Sequence, residues 1–342
     1  MSSRRNLRRA LMATAVLVFL AGASELALRV AGVQPGYRVD VAGWMARPMR
    51  AQSELMTRPG TIQTFRITIN DDGLRTTLSK ARTPGVTRIA LFGDSTLFGW
   101  GVDDGETMPA AMHDTLTRRG IRAEVLNAGQ PGYSTTQIEH LYTNTVSAYT
   151  PDIVVVFVPQ HDGNLVPVSD RERIEGASGP VSAVRILLAN HSRVYYLLRK
   201  SLSGVTDAQP VRAAASEAQG DLVPRASHAE RDATMDRLRA ALAERGGTLV
   251  IGHLPVGYEF DGTAPPRFTV PWANAYAEAT GTSLLDLRAC CIGTAAVADV
   301  TLNGDLGHLN PLGNKIVGTV AADRVLGLLA TRLRASATVA TP

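Results

Sequence analysis

The sequence predicts an α/β protein, a three-layer parallel sheet with helices on both faces. Apolar runs of strand length recur at residues 86–92, 121–126, 153–158, 248–251 and 283–287. Segments with helical spacing separate several of them. The run IVVVFV at 153–158 is apolar without alternation, the pattern of a parallel strand covered on both sides.

Residues 1–32 read as an export segment. Arg4, Arg5, Arg8 and Arg9 form a basic head, residues 10–24 (ALMATAVLVFLAGAS) are apolar, and Ala21-Gly22-Ala23 fits a small-residue cleavage site. Residues 10–28 are also long enough to cross a bilayer with Glu25 at the far interface. Of the two outcomes an uncleaved anchor is favoured, with the basic head cytoplasmic. Either one places the bulk of the chain outside the cytoplasm, periplasmic or cell-surface if anchored and otherwise secreted. The formal charge is +4, which those four arginines match. The basic balance therefore reports targeting, and no nucleic-acid partner is expected.

Residues 33–85 form an accessory lead-in. Thr64–Ile69 alternates with β-branched residues, and Asn70-Asp71-Asp72-Gly73 is a turn. The main domain spans 86–335. Met108, Ala111, Met112, Thr115 and Leu116 give residues 107–119 a helical spacing. A second helix is expected over 135–149, and a last one over 311–334 with Pro311 in its first turn. Residues 163–226 interrupt this rhythm as an insertion. The stretch 181–202 reads as one apolar helix, either packed on the core or serving as a lid, and 204–224 reads as a Gly/Ala/Ser/Gln/Pro-rich linker. Cys290 and Cys291 are neighbours, so they offer neither a disulfide framework nor zinc-ligand spacing and read as small buried hydrophobes. No metal or cofactor is implied.

The chemistry starts at Ser95, in Gly93-Asp94-Ser95, at the carboxyl end of the first apolar run. Open α/β sheets bind ligands beyond that end of their strands. Far downstream, Asp305 precedes His308 by three residues, just ahead of the last helix. A short loop there can hold the carboxylate on one imidazole nitrogen and leave the other for the serine hydroxyl, which is a poor nucleophile without a base. The loop Asn127 to Ser134 follows the second strand, and its Gly132 can present a backbone N–H to an oxyanion. The loop Val158 to Asn164 follows the third strand and brings polar side chains, among them His161, to the same edge.

These motifs resemble the SGNH, or GDSL-type, hydrolase superfamily over about residues 60–330. Gly93-Asp94-Ser95 is similar to the first block and makes Ser95 the nucleophile. Gly132, in Asn127-x-x-x-x-Gly132, is similar to the second-block glycine, an oxyanion donor. Asp305-x-x-His308 is similar to the last block, with His308 as base and Asp305 orienting it. Asn70-Asp71-Asp72-Gly73-Leu74-Arg75 resembles bacterial members with an N-terminal anchor. The family's third block is Gly-x-Asn-Asp, whereas this chain has Pro159-Gln160-His161-Asp162. His161 stands where the family has its oxyanion-donating Asn; an imidazole N–H can replace it, and Gln160 or Asn164 are alternatives. The resemblance implies a flavodoxin-like sheet and an exported serine esterase with an oxyanion hole of Ser95, Gly132 and His161. The substrate would be an ester-bearing small molecule or an acylated carbohydrate. An O-acetyltransferase or deacetylase of surface carbohydrate is the second reading, and a non-catalytic binding protein on a hydrolase scaffold the third.

Overall fold

The computed structural model describes residues 2–33, 52–58, 60–177, 179–203 and 221–339. Helix α1 covers Ser2–Val30 and the hairpin β1–β2 covers Gln52–Thr57 and Thr64–Ile69. The chain continues through β3 (Thr87–Phe92), α2 (Ser95–Phe98), α3 (Met108–Arg118), β4 (Ala123–Asn127), α4 (Thr135–Asn144) and β5 (Ile153–Phe157). Next come β6 (Leu165–Val166), α5 (Asp170–Gly176), α6 (Pro180–His191), α7 (Arg193–Ser203), β7 (Val223–Pro224) and α8 (His228–Ala243). The last part holds β8 (Thr248–His253), α9 (Thr269–Thr280), β9 (Ser283–Asp286), the short helices α10 (Arg288–Cys291) and α11 (Val297–Val300), the hairpin β10–β11 (Thr301–Leu302 and Asp305–Leu309), and α12 (Pro311–Val339).

Five strands form one sheet in the order β4-β3-β5-β8-β9, every pair parallel. All five carboxyl ends therefore lie along one edge, which gathers the loops after β3, β4 and β5. Strand β5 is buried at every residue, as its unbroken apolar run requires. One sheet face, with Ile89, Leu91, Val155 and Val250, packs in a single core with Met108, Met112 and Leu116 of α3 and Val317, Ala321 and Val325 of α12. Gly318 lets α12 close on α3, because a Cβ there would stand 2.6 Å from the Met108 carbonyl oxygen. On the other face Phe92 meets Tyr142 of α4 edge to face, at 6.3 Å between ring centroids. Helix α9 is tied to α8 by Trp272 donating to Asp232 and Tyr276 donating to Asp236. The expected three-layer parallel sheet is thus the fold.

The described residues fall into two compact units, one with α1, α6 and α7 and one with the sheet. The stretch expected as a single helix over 181–202 is two helices, because Ser192 between them adopts extended backbone and its Oγ accepts from Tyr195 N at 3.1 Å. Both helices belong to the unit that contains α1. Residues 34–51 of the lead-in and 204–220 of the expected linker lie outside the described residues, while 223–224 form strand β7. Helix α4 stops at Asn144 and is followed by a 3-10 turn, so the expected helix over 135–149 is broken at Thr145. Helix α12 runs beyond 334 to Val339. Helices α8 and α9 were not anticipated. Cys291 is buried, as expected.

The described part of the lead-in is wired into the segment that follows α2. Asn70 Oδ1 accepts from Asp72 N and Leu74 N, closing the turn. That turn delivers Arg75, buried at 5% exposure, against the segment after α2. Its guanidinium donates to Phe98 O, Gly99 O, Val102 O, Arg66 O and Asp104 Oδ1 at 2.7–3.1 Å. Replacing Arg75 with Met leaves these carbonyls and the Asp104 carboxylate short of a donor, and should cost about 3–5 kcal/mol of stability. Arg75→Lys should recover less than half, since an ammonium cannot reproduce a planar fork. Urea unfolding checks this; a loss near zero for Arg75→Met would contradict the role.

Candidate active site

Ser95 opens α2 directly beyond β3. Asp94 caps this turn, its Oδ1 accepting from Thr96 N at 3.0 Å. The loop after β4 is laced to the serine loop: Ala128 N donates to Leu91 O and Gln130 N to Gly93 O. Asn127 holds its own loop through Gly129 N and also donates to Phe98 O. Gly129 is required here, because a Cβ would stand 2.5 Å from Phe98 N. Gly132 in the same loop has φ +75 and open space where a Cβ would be. Its left-handed backbone favours glycine.

His308 arrives from the other end of the chain, on β11. Its Nε2 lies 2.8 Å from Ser95 Oγ, and its Nδ1 lies 2.6 Å from Asp305 Oδ2. The second Asp305 oxygen accepts from Gly307 N and His308 N, which fixes the carboxylate. Because Asp305 accepts at Nδ1, that nitrogen carries the proton, and Nε2 faces the serine with its lone pair. Asn310 secures the strand-to-helix junction: its Nδ2 donates to Asp299 O and Thr301 O, and its Oδ1 accepts from Gly313 N in the first turn of α12. Asn314 then joins α12 to α3 by accepting from Met108 N.

The loop after β5 turns through a 3-10 segment at Gln160–Gly163. His161 Nε2 lies 3.8 Å from Asp94 Oδ2. Asn164 Nδ2 approaches His161 Nδ1 at 3.4 Å, which makes Nδ1 the acceptor and leaves the proton on Nε2. Burial pushes the His161 pKa down, Asp94 opposes this, and the Arg225 charge adds to it. His161 is therefore a neutral donor near neutral pH. Asp162 is fully buried, accepts from Thr135 N at 2.7 Å, and also accepts from the Thr135 hydroxyl. The loops after β4 and β5 are locked together at that point.

Several residues outside the sequence motifs complete the site's support. Strands β6 and β7 pair antiparallel, so the inserted segment leaves and returns beside the His161 loop. The return brings Arg225, 1% exposed, which donates to Asp170 Oδ2, Gly132 O and Gln137 Oε1 at 2.8–2.9 Å. Arg231 follows on α8, donates to Ala226 O, and lies over the Phe268 and Trp272 rings. Local sequence carries no signal for these buried arginines, whose partners come from other loops. A small cavity lined by Asp94, Thr96, Phe157, Val158, Leu254, Val256 and Arg267 adjoins the serine turn. Among the described residues no group of His, Cys, Asp or Glu is placed to hold a metal ion.

This geometry agrees with a family comparison. The GDSL-like lipase/acylhydrolase family matches residues 91–316, a span that contains Ser95, Gly132, His161, Asp305 and His308. The chain belongs to this family. As a GDSL-like acylhydrolase it is a hydrolase of ester bonds. No curated protein matches the chain. Solved structures similar to this GDSL-like chain include a lipolytic protein of the G-D-S-L family from Desulfitobacterium hafniense, 15% identical, with a TM-score of 0.42, covering 69% of this chain and 98% of that one. An acetylxylan esterase from Geobacillus stearothermophilus is 14% identical, with a TM-score of 0.41 and coverages of 68% and 91%. The esterase EstA from a Pseudoalteromonas species is 12% identical, with a TM-score of 0.43 and coverages of 71% and 99%.

Asp162 gives this site a pH signature. Burial raises its carboxyl from near 3.8 to about 6, against the opposing Thr135 hydrogen bonds and the Arg231 charge. A folded pKa above the unfolded one contributes stability that is complete below about pH 4 and is lost as the pH rises through 6. Between pH 5 and 7 the wild-type urea midpoint should fall relative to that of Asp162→Asn, which lacks the titration. Parallel profiles for the two proteins would contradict the assignment.

Proposed function

We propose that this ester hydrolase is an exported serine esterase in which Ser95 is the nucleophile, His308 the general base and Asp305 the group that orients it. The observation that carries this reading is the unbroken relay Ser95 Oγ to His308 Nε2 and His308 Nδ1 to Asp305 Oδ2, at 2.8 and 2.6 Å. His308 takes the hydroxyl proton as Ser95 Oγ attacks the ester carbonyl. The tetrahedral oxyanion is held by the backbone N–H groups of Ser95 and Gly132 and by His161 Nε2–H. His308 then gives its proton to the departing alcohol, leaving an acyl group on Ser95. Water, deprotonated by the same imidazole, releases the acid and restores the serine. Asp305 stabilises the imidazolium formed at each step. The substrate is an ester-bearing small molecule or an acylated carbohydrate. The intact relay speaks against a decayed binding scaffold.

Helix α1 is long and apolar enough to cross a membrane over Arg5–Val30. We read it as an uncleaved anchor, its arginine-rich start cytoplasmic and the esterase unit outside. Two features support this: the basic head before the apolar run, and a helix that continues unbroken through Ala21-Gly22-Ala23.

With p-nitrophenyl acetate as substrate, Ser95→Ala should lower kcat by about 10³-fold or more. His161→Ala should lower it by about 10²–10³-fold, the effect of one missing oxyanion donor. His161→Asn restores a neutral N–H donor and should stay within about tenfold of wild type. Undiminished turnover by Ser95→Ala would end the esterase mechanism. Undiminished turnover by His161→Ala would remove only the third donor.

A further inference from the structure

The surface of the helical pair α6–α7 is unusual for a water-exposed element. On α6, Val181, Val184, Leu187 and Leu188 are 65%, 54%, 58% and 39% exposed. At 100° per residue these four share one face. The opposite face, with Ile186 and Ala189, is turned inward. A helix apolar on both sides is suited to a nonaqueous setting. Residues 180–203 also contain Arg185, Arg193, Arg199 and Lys200 and no acidic residue, together with Tyr195 and Tyr196. Cations beside apolar side chains and tyrosines are the chemistry of a membrane–water interface.

The structure also ties this pair to the membrane-length helix. Glu25, the first charge after the apolar run of α1, caps the start of α7: its Oε2 accepts from Ser192 Oγ, Arg193 N and Val194 N at 2.7–3.2 Å. Arg29, one turn further, pairs with Glu25 and donates to the His191 carbonyl at 2.8 Å. The junction of α6 and α7 is thereby fixed at the level where α1 leaves its apolar stretch.

We propose that α6 and α7 lie in the outer interface of the bilayer that α1 crosses, with the Val181, Val184, Leu187 and Leu188 face in the acyl region and the cationic side chains at anionic phospholipid headgroups. This rests on the reading of α1 as an anchor. The pair makes that anchor two-part, a span plus a surface-lying brace, and holds the chain leaving the membrane at a fixed height.

The test uses the full-length enzyme in phosphatidylglycerol/phosphatidylcholine vesicles, with an NBD fluorophore on Val184→Cys, and in a second preparation on Leu187→Cys. Glu278→Cys, exposed on α9 of the sheet unit, is the comparison site. Turnover of p-nitrophenyl acetate verifies folding of each labelled protein, and alkaline carbonate extraction reports the anchor separately. The expected result is carbonate resistance, blue-shifted emission at 184 or 187, and quenching by shallow doxyl-labelled lipid several-fold above that at 278. Carbonate resistance with emission and quenching at both helix sites equal to those at 278 would overturn the interfacial placement and leave the anchor standing. Extraction by carbonate would overturn the anchor, and this proposal with it.

Discussion

The contact between Ser95 Oγ and His308 Nε2 joins residues 213 positions apart and depends on nearly every element of the sheet unit. Strand β3 sets the serine at the carboxyl edge, and the parallel neighbours β4 and β5 bring their own loops to that edge. Helix α12 packs on α3, and its capping Asn310 holds the strand that carries the histidine. A serine hydroxyl is an ordinary alcohol until a base stands within hydrogen-bond reach, so a small displacement of either end removes the activation. The proposed mechanism therefore requires rigidity in the surrounding loops.

Buried cations supply much of that rigidity. Arg75 ties the lead-in to the segment after the serine helix, and Arg225 ties the end of the insertion to the Gly132 loop. Each guanidinium satisfies several backbone or side-chain acceptors at once, a task suited to its planar fork. Such centres are sensitive to loss of one partner, because the remaining polar groups stay buried. The insertion is therefore both a departure from the sheet and a support for the Gly132 loop, since its closing strand leads into Arg225.

The sheet and the central relay were legible in the sequence for a physical reason. Strands buried on both faces must be apolar throughout, and the relay residues sit in short local patterns, Gly93-Asp94-Ser95 and Asp305-x-x-His308. Arg75, Asp170, Arg225 and Arg231 were not legible in their roles, because their partners are backbone atoms and side chains of distant loops. Helix α8 carries a local start signal: Ser227 and Glu230 stand at the spacing of an N-terminal cap, and Ser227 Oγ accepts from Glu230 N. The boundary between α6 and α7 was hidden for another reason. No glycine or proline marks it, and both halves keep apolar helical spacing; the break is made by Ser192, with Glu25 as the remote acceptor. His161 was visible as a departure from the family's Asn, but its protonation state depends on burial and on Arg225, which only the fold brings together.

The central claim is that His308 activates Ser95. The most direct measurement is the rate at which a fluorophosphonate labels the folded protein, with the adduct located by mass spectrometry. The account predicts a single adduct on Ser95, formed at least about a hundredfold more slowly when His308 is replaced by Gln. Labelling of Ser95 at an unchanged rate in His308→Gln, or an adduct on another residue, would contradict it.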